Sequence, residues 1–174
     1  MSDPQSFSRN EHGLLDNVQY TYNNDGSINW RAMIDNKHLV VNKNVFPEGA
    51  DIPSDVSQLN DGQSLVLLAG LKELANLRGF TNVNYEVTAA SKMYVAVKCT
   101  ISWIPNYESG MQPVQFSALA DTHESNTSGF GKKFLMAVSE NRSFSRAVRN
   151  FLRVNIIGQD EIDPNEDEVI FEFF

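Results

Sequence analysis

The run "YVAVKCTISWI", residues 94–104, constrains the fold of this chain more than any other stretch. Val95, Val97, Cys99, Ile101 and Trp103 alternate with Tyr94, Lys98, Thr100 and Ser102. A strict period of two over ten residues fits a β-strand with one buried face and fits no helix. Such a strand needs partners, and the flanking sequence offers two. "NVNYEVTAA" (82–90) alternates Val83, Tyr85, Val87 and Ala89, and "VQFSALA" (114–120) alternates Val114, Phe116, Ala118 and Ala120. The loop "PNYESGMQP" (105–113) joins the last two, so the three runs predict an antiparallel meander. Ahead of them, "SLVLLAGLKELANLRG" (64–79) carries a Leu67, Leu71, Leu74, Leu77 stripe, with Asp61 or Ser64 to cap its start and Gly79 to end it. That is a helix.

Behind the meander, the pattern predicts a long helix over 128–155. At helical spacing, Phe134, Val138, Phe144, Val148, Phe151 and Leu152 share one apolar arc. Arg142, Arg146, Arg149 and Arg153, spaced by four, three and four, form a rail along its edge within an arc about 60° wide. The fold class expected is α+β. An N-terminal hairpin of "INWRAMI" (28–34) and "HLVVNKNV" (38–45) precedes the helix, the three-stranded meander and the long C-terminal helix packed on the sheet. Residues 1–25 are polar and aperiodic and are read as a mobile arm. Residues 26–155 form one domain, and 156–174 an acidic tail ending in phenylalanine.

The formal charge of −8 conceals a division. Residues 154–174 hold seven acids and no Lys or Arg, and without them the chain carries −1. Residues 128–153 hold six bases and one acid, Glu140. A helix of about +5 thus runs directly into a segment of −7. Between 141 and 153 no acid is available for i,i+4 pairing, so the arginines call for an anion from elsewhere. Nucleic-acid phosphate suits a guanidinium fork well. An acidic protein partner, the chain's own tail and a merely solvated face are the other readings.

Other chemistry is poorly supported. His12, His38 and His123 are scattered without ligands at metal spacing, and neither a Walker A loop, GxGxxG nor GxSxG occurs. "GFGKK" (129–133) lacks phosphate-loop spacing. No enzyme activity, cofactor or metal is expected, with a metal-dependent nuclease as a weak alternative. No apolar run is long enough to span a bilayer, the start "MSDPQSFSRNEHG" does not read as a signal peptide, and the single Cys99 reads as core in a reducing cytoplasm. For nucleic acid, Lys132, Lys133, Arg31, Lys92 and Lys98 add positive charge. Tyr94 and Trp30 are the aromatics best placed to stack on single-stranded bases, while Trp103 reads as core. The end "DEIDPNEDEVIFEFF" joins acids to Phe171, Phe173 and Phe174, a candidate plug for a partner protein that also resembles the tails of bacterial single-strand binding proteins in composition.

The helix ending "LANLRGF", the three strands and the helix "ENRSFSRAVRNFLRV" together resemble the single-strand annealing domain of the Rad-fifty-two family and the phage group of Erf, RecT and Redβ. The likeness covers residues 64–155. "RAVRNF" matches the family's basic element on the last helix, and "GFTNVNYEV" matches the segment opening its first strand. The resemblance implies a non-catalytic protein of recombination and repair that binds single-stranded DNA and anneals complementary strands. Arg146 and Arg149 would sit on the DNA backbone, and protomers would join into a ring or filament. Ser145 stands where the family usually has a second base, which implies modest, salt-sensitive affinity. Double-stranded RNA-binding domains share the element order, and "GKKFLMAV" is similar to their last helix, but those domains are shorter. A protein-interaction module of a replication or recombination complex, docking through the tail, is the remaining alternative.

Overall fold

The protein is described by a computed structural model over residues 8–162. Its main sheet is the expected meander, β3 (Phe80–Ala90), β4 (Tyr94–Trp103) and β5 (Val114–His123), antiparallel in the order β3-β4-β5. It follows β1 (Leu39–Val41), β2 (Ser64–Val66) and α1 (Leu68–Arg78). The helix α2 (Leu135–Phe151) and the two-residue strand β6 (Ile157–Gly158) come after it.

The register follows the alternation. Val97 sits between Val87 and Ala120, Cys99 between Tyr85 and Ala118, and Ile101 between Val83 and Phe116. Val95, Val97, Cys99, Ile101 and Trp103 are buried, and burial pushes the Cys99 thiol up to about 12. The helix α2 lies over β4 and β5, with Phe144, Ala147, Val148 and Leu152 in the shared core and Phe151 stacked on Trp103 at 4.7 Å. Ser139, at the same interface, donates to the Val95 carbonyl at 3.0 Å and lies 2.8 Å from the Thr122 hydroxyl. A small hydroxyl there lets the helix approach the sheet closely. The β3 half of this face is less covered, and Tyr85 and Val87 stay 42% and 49% exposed.

Three boundaries differ from the sequence reading. The last helix is shorter than 128–155. Residues Gly129–Lys133 form a 3-10 turn, and Phe134 leaves helical geometry at φ −131°, ψ 45°. Phe134 is accordingly exposed rather than part of the apolar arc. The expected N-terminal hairpin does not form. Residues 30–34 make turns and Ile28 bridges only Tyr22, while β1 pairs antiparallel with β2 and β2 pairs parallel with β6, giving a second sheet β1-β2-β6. The first helix accordingly starts at Leu68, because Ser64–Val66 has become strand.

Within the segment read as a mobile arm, residues 8–25 are part of the fold. Leu14 and Tyr20 belong to the main core with Ile28, Trp30 and Ile34. Arg9 caps the C-terminus of α1, donating to the carbonyls of Asn76, Leu77 and Arg78 at 3.0 to 3.3 Å. A cation among the last carbonyls of a helix both fills their vacant acceptor sites and complements the helix dipole. Gly79, at φ 87°, is required here: a Cβ would fall 2.5 Å from Arg9 Nη2 and from Ile104 Cδ1. The C-terminal boundary expected at 155 also moves, since Ile156 is a core residue and regular secondary structure continues through Glu161.

Candidate nucleic-acid interface

The four rail arginines divide three to one. Arg142 is 4% exposed. Its Nε donates to the Asp160 carbonyl at 2.6 Å, Nη2 to the Asn126 carbonyl at 2.6 Å, and Nη1 to Asn126 Oδ1 at 3.0 Å and the Asp121 carbonyl at 3.2 Å. A buried guanidinium with four acceptors has no face left for a phosphate, so Arg142 acts as an internal clamp rather than as part of an open groove. Arg146 gives Nε to Glu161 Oε2 at 3.1 Å and Nη1 to the Leu119 carbonyl at 2.8 Å. Arg149 holds the same carboxylate with both Nε and Nη2, the latter at 2.8 Å. The Glu161 side chain is only 2% exposed.

The anion that the rail calls for is therefore supplied by the chain itself. From β6 onward, residues 157–162 run as a strap along α2. Gly158 passes so near Ser145 that an added Cβ would lie 3.2 Å from the serine Cβ. Ser145 Oγ donates to Asp160 Oδ2 at 2.7 Å, while Asp160 Oδ1 is buried without a hydrogen-bond partner. Burial raises the Asp160 carboxyl to about 6, against the Ser145 hydrogen bond and the Arg142 charge that lower it. The clamp also covers one edge of the sheet, because the Leu119 and Asp121 carbonyls it engages belong to β5. The opposite edge, β3, pairs with no further strand among the described residues.

Arg153 is different. The chain leaves α2 through a Schellman turn, with Val154 N–H donating to the Arg149 carbonyl at 2.8 Å and Arg153 N–H to the Asn150 carbonyl at 3.4 Å. Arg153 takes the left-handed position of that turn at φ 56°, where glycine is usual. Its exposed guanidinium makes no hydrogen bond or ion pair with any described residue. It borders a cleft of about 770 Å³ that also takes in Arg31, Arg78, Trp30, Tyr107 and Phe151.

The remaining candidates occupy separate places. Arg31 is paired with Asp61 at 2.8 Å and Lys98 with Glu86 at 2.9 Å. Trp30 is buried, its indole N–H donating to Glu108 at 3.1 Å, so it forms a wall rather than an open stacking platform. Trp103 is core, as expected. Tyr94 is 40% exposed and stacks on His123 at 6.3 Å. Lys92, in the β3–β4 turn, and Lys132 and Lys133, just before α2, are exposed and unpaired among the described residues. Leu135 packs with Val95 and Val97, which brings these three lysines and Tyr94 to one end of the sheet; the cleft lies at the other. Phe171, Phe173 and Phe174 lie outside the described residues.

Sequence reasoning missed Arg9 and Arg78. Asp160 and Glu161 belong to the tail that it named as one alternative source of the rail's anion. Among the described residues no grouping of His, Cys, Asp and Glu could hold a metal ion, and no helix is long and apolar enough to cross a membrane. No protein-family model matches the chain, and neither a curated protein nor a solved structure matches it.

Proposed function

We propose that the protein binds single-stranded DNA without catalysis and promotes annealing of complementary strands, working as a ring or filament of protomers. The observation that carries this reading is the placement of four cations that the internal ion pairs leave over. Lys92, Lys132 and Lys133 stand beside the exposed Tyr94 at one end of an open meander, and Arg153 stands at the other end. Phosphate attracts unpaired cations and a base stacks on an exposed ring, without regard to sequence. Annealing needs no cofactor, because base pairing supplies the free energy while the protein holds the strands. The uncovered β3 edge, with Tyr85 and Val87 exposed beside it, gives protomers a place to join.

The test is annealing of two complementary labelled oligonucleotides in EDTA without nucleotide. Acceleration is expected, and cleavage that requires a divalent metal would move the protein to the nucleases. Replacing Lys92, Lys132 and Lys133 together with alanine should weaken binding to every sequence alike. It should also reduce the slope of log K against log salt by about two, at about 0.7 per phosphate contact on a single strand. An unchanged slope in a folded variant would remove these lysines from the interface. Light scattering at micromolar protein should report an assembly, and Val87→Lys should dissociate it by placing a charge beside the β3 edge. A monomer with and without DNA would contradict the ring or filament.

A further inference from the structure

The cleft at the C-terminal end of α2 has features that its structural role does not require. Arg78, at its floor, is 2% exposed, donates to neutral acceptors, the Ile104 carbonyl at 2.8 Å and Asn106 Oδ1 at 3.0 Å, and lies 6.0 and 5.8 Å from the Trp103 and Phe151 rings. No carboxylate lies within ion-pair distance of it among the described residues. Burial lowers its pKa to about 10 despite the field of Glu108. At the rim, Arg153 keeps a left-handed backbone that glycine would adopt without strain. A left-handed residue whose charge has no hydrogen-bond partner among the described residues, and which borders a cleft, is a reason to look for a ligand.

Two acids share the cleft with these cations, and neither forms an ion pair with them among the described residues. Glu108 accepts the Ile28 N–H at 2.9 Å, the Trp30 indole N–H at 3.1 Å and the Asn106 amide at 3.3 Å. Asp25 accepts both the N–H and the hydroxyl of Ser27, at 3.0 and 2.6 Å. Both carboxylates keep their charge on local neutral donors, and Arg153, which makes no hydrogen bond or ion pair with a described residue, lies in the field of Asp25. The walls between them include the rings of Tyr107 and Phe151. An anionic rim group with a flat, partly apolar body suits this combination, and the volume exceeds that of one nucleotide.

Building on the single-strand reading above, we infer that this cleft takes one nucleotide of the bound strand, its base against Tyr107 and Phe151 and its phosphate on Arg153. The Tyr107 hydroxyl, which donates to the Gly26 carbonyl at 2.8 Å, ties the 23–29 turn across the opening and positions that wall.

The experiment compares the full chain with Arg153→Gly and Arg153→Lys, using oligodeoxythymidylate at low salt and the same oligonucleotide carrying 5-iododeoxyuridine for photocrosslinking. Arg153→Gly relieves the left-handed strain, so its melting temperature should rise by about 2–4 °C while affinity falls roughly fivefold to tenfold. Arg153→Lys should retain most of the affinity, and crosslinks should map to the peptides holding Tyr107 and Phe151. Stability and binding moving in opposite directions separates a ligand contact from a structural role. Unchanged affinity in Arg153→Gly, or crosslinks confined to the Tyr94 end of the sheet, overturns the cleft and leaves the single-strand reading standing. No binding of the oligonucleotide by the native protein overturns both.

Discussion

Glu161→Ala is expected to lower the stability of the protein by about 3 kcal/mol, or roughly 6–12 °C in melting temperature. One carboxylate, 2% exposed, satisfies Arg146 and Arg149 together and also accepts the Gly158 N–H at 3.1 Å. Removing it leaves two guanidiniums and a backbone donor facing a space that water must fill. Breaking one side of such a pair costs more than the pair itself contributes, because the partner charges stay behind. Arg149 is 19% and Arg146 37% exposed at the side chain, so part of the penalty is relieved by solvent and the estimate sits at the lower end of the range for buried pairs. Thermal melts by circular dichroism check the loss. Hydrogen exchange should show it concentrated in β6 and the strap, with β4 still protected. A loss below about 1 kcal/mol would mean that the strap is a surface contact of the ordinary weak kind. The double replacement of Arg146 and Arg149 with alanine should likewise lower stability, so any weakening of DNA binding by that variant has to be read at a temperature where it is fully folded.

The meander was legible because β4 states its environment residue by residue. Each odd position from Val95 to Trp103 is apolar, and each is buried. The second sheet gave no such signal. Its strands are three, three and two residues long, too short for a period to declare itself, and "SLV" reads as the first turn of the helix that follows. Pairing of β2 with β6 joins Leu65 to Ile157 and Val66 to Gly158, a contact that no local pattern encodes. The N-terminal segment was misread for a related reason. Leu14 and Tyr20 are buried one at a time from irregular turns, and an Arg9 that caps α1 looks like any polar residue until the helix end is beside it.

The rail shows the same limit for the site. Its alignment along one edge of α2 and its need for an anion were both readable from spacing and charge. The source of the anion was open, and the chain's own tail was one alternative. Helical pairing rules look three or four residues away, whereas Glu161 lies 12 residues beyond Arg149 and 15 beyond Arg146. Ile156, fully buried, and β6 turn the chain back to deliver it. Two apolar residues at the junction of the expected helix and tail, Val154 and Ile156, were the available signal. Arg153 stood apart only because the helix ends one turn sooner than its charge pattern suggests.

Asp160→Asn is expected to stabilise the protein at pH 8 and to have no such effect at pH 4. The strap places this carboxyl where burial raises it from 3.8 to about 6. Between those values the folded protein holds a proton that the unfolded chain has released, so stability falls as pH rises through that window and the full cost is present above it. At about 1.4 kcal/mol per pH unit, the cost approaches roughly 3 kcal/mol at pH 8. An amide keeps the acceptor for Ser145 Oγ and carries no charge into the buried position of Oδ1, which has no partner. It places a donor there instead, and that unsatisfied N–H returns part of the cost, leaving an expected gain of about 1–2 kcal/mol. At pH 4 the folded protein holds Asp160 neutral, so the gain disappears and only the cost of the unsatisfied N–H remains. Melting curves of the two proteins from pH 4 to 8 should therefore cross, the variant lying lower at the acid end and higher once Asp160 ionises in the folded protein. Parallel curves, offset by the same amount at every pH, would show that Asp160 titrates alike in the folded and unfolded chains. Its burial beneath the strap would then carry no electrostatic cost.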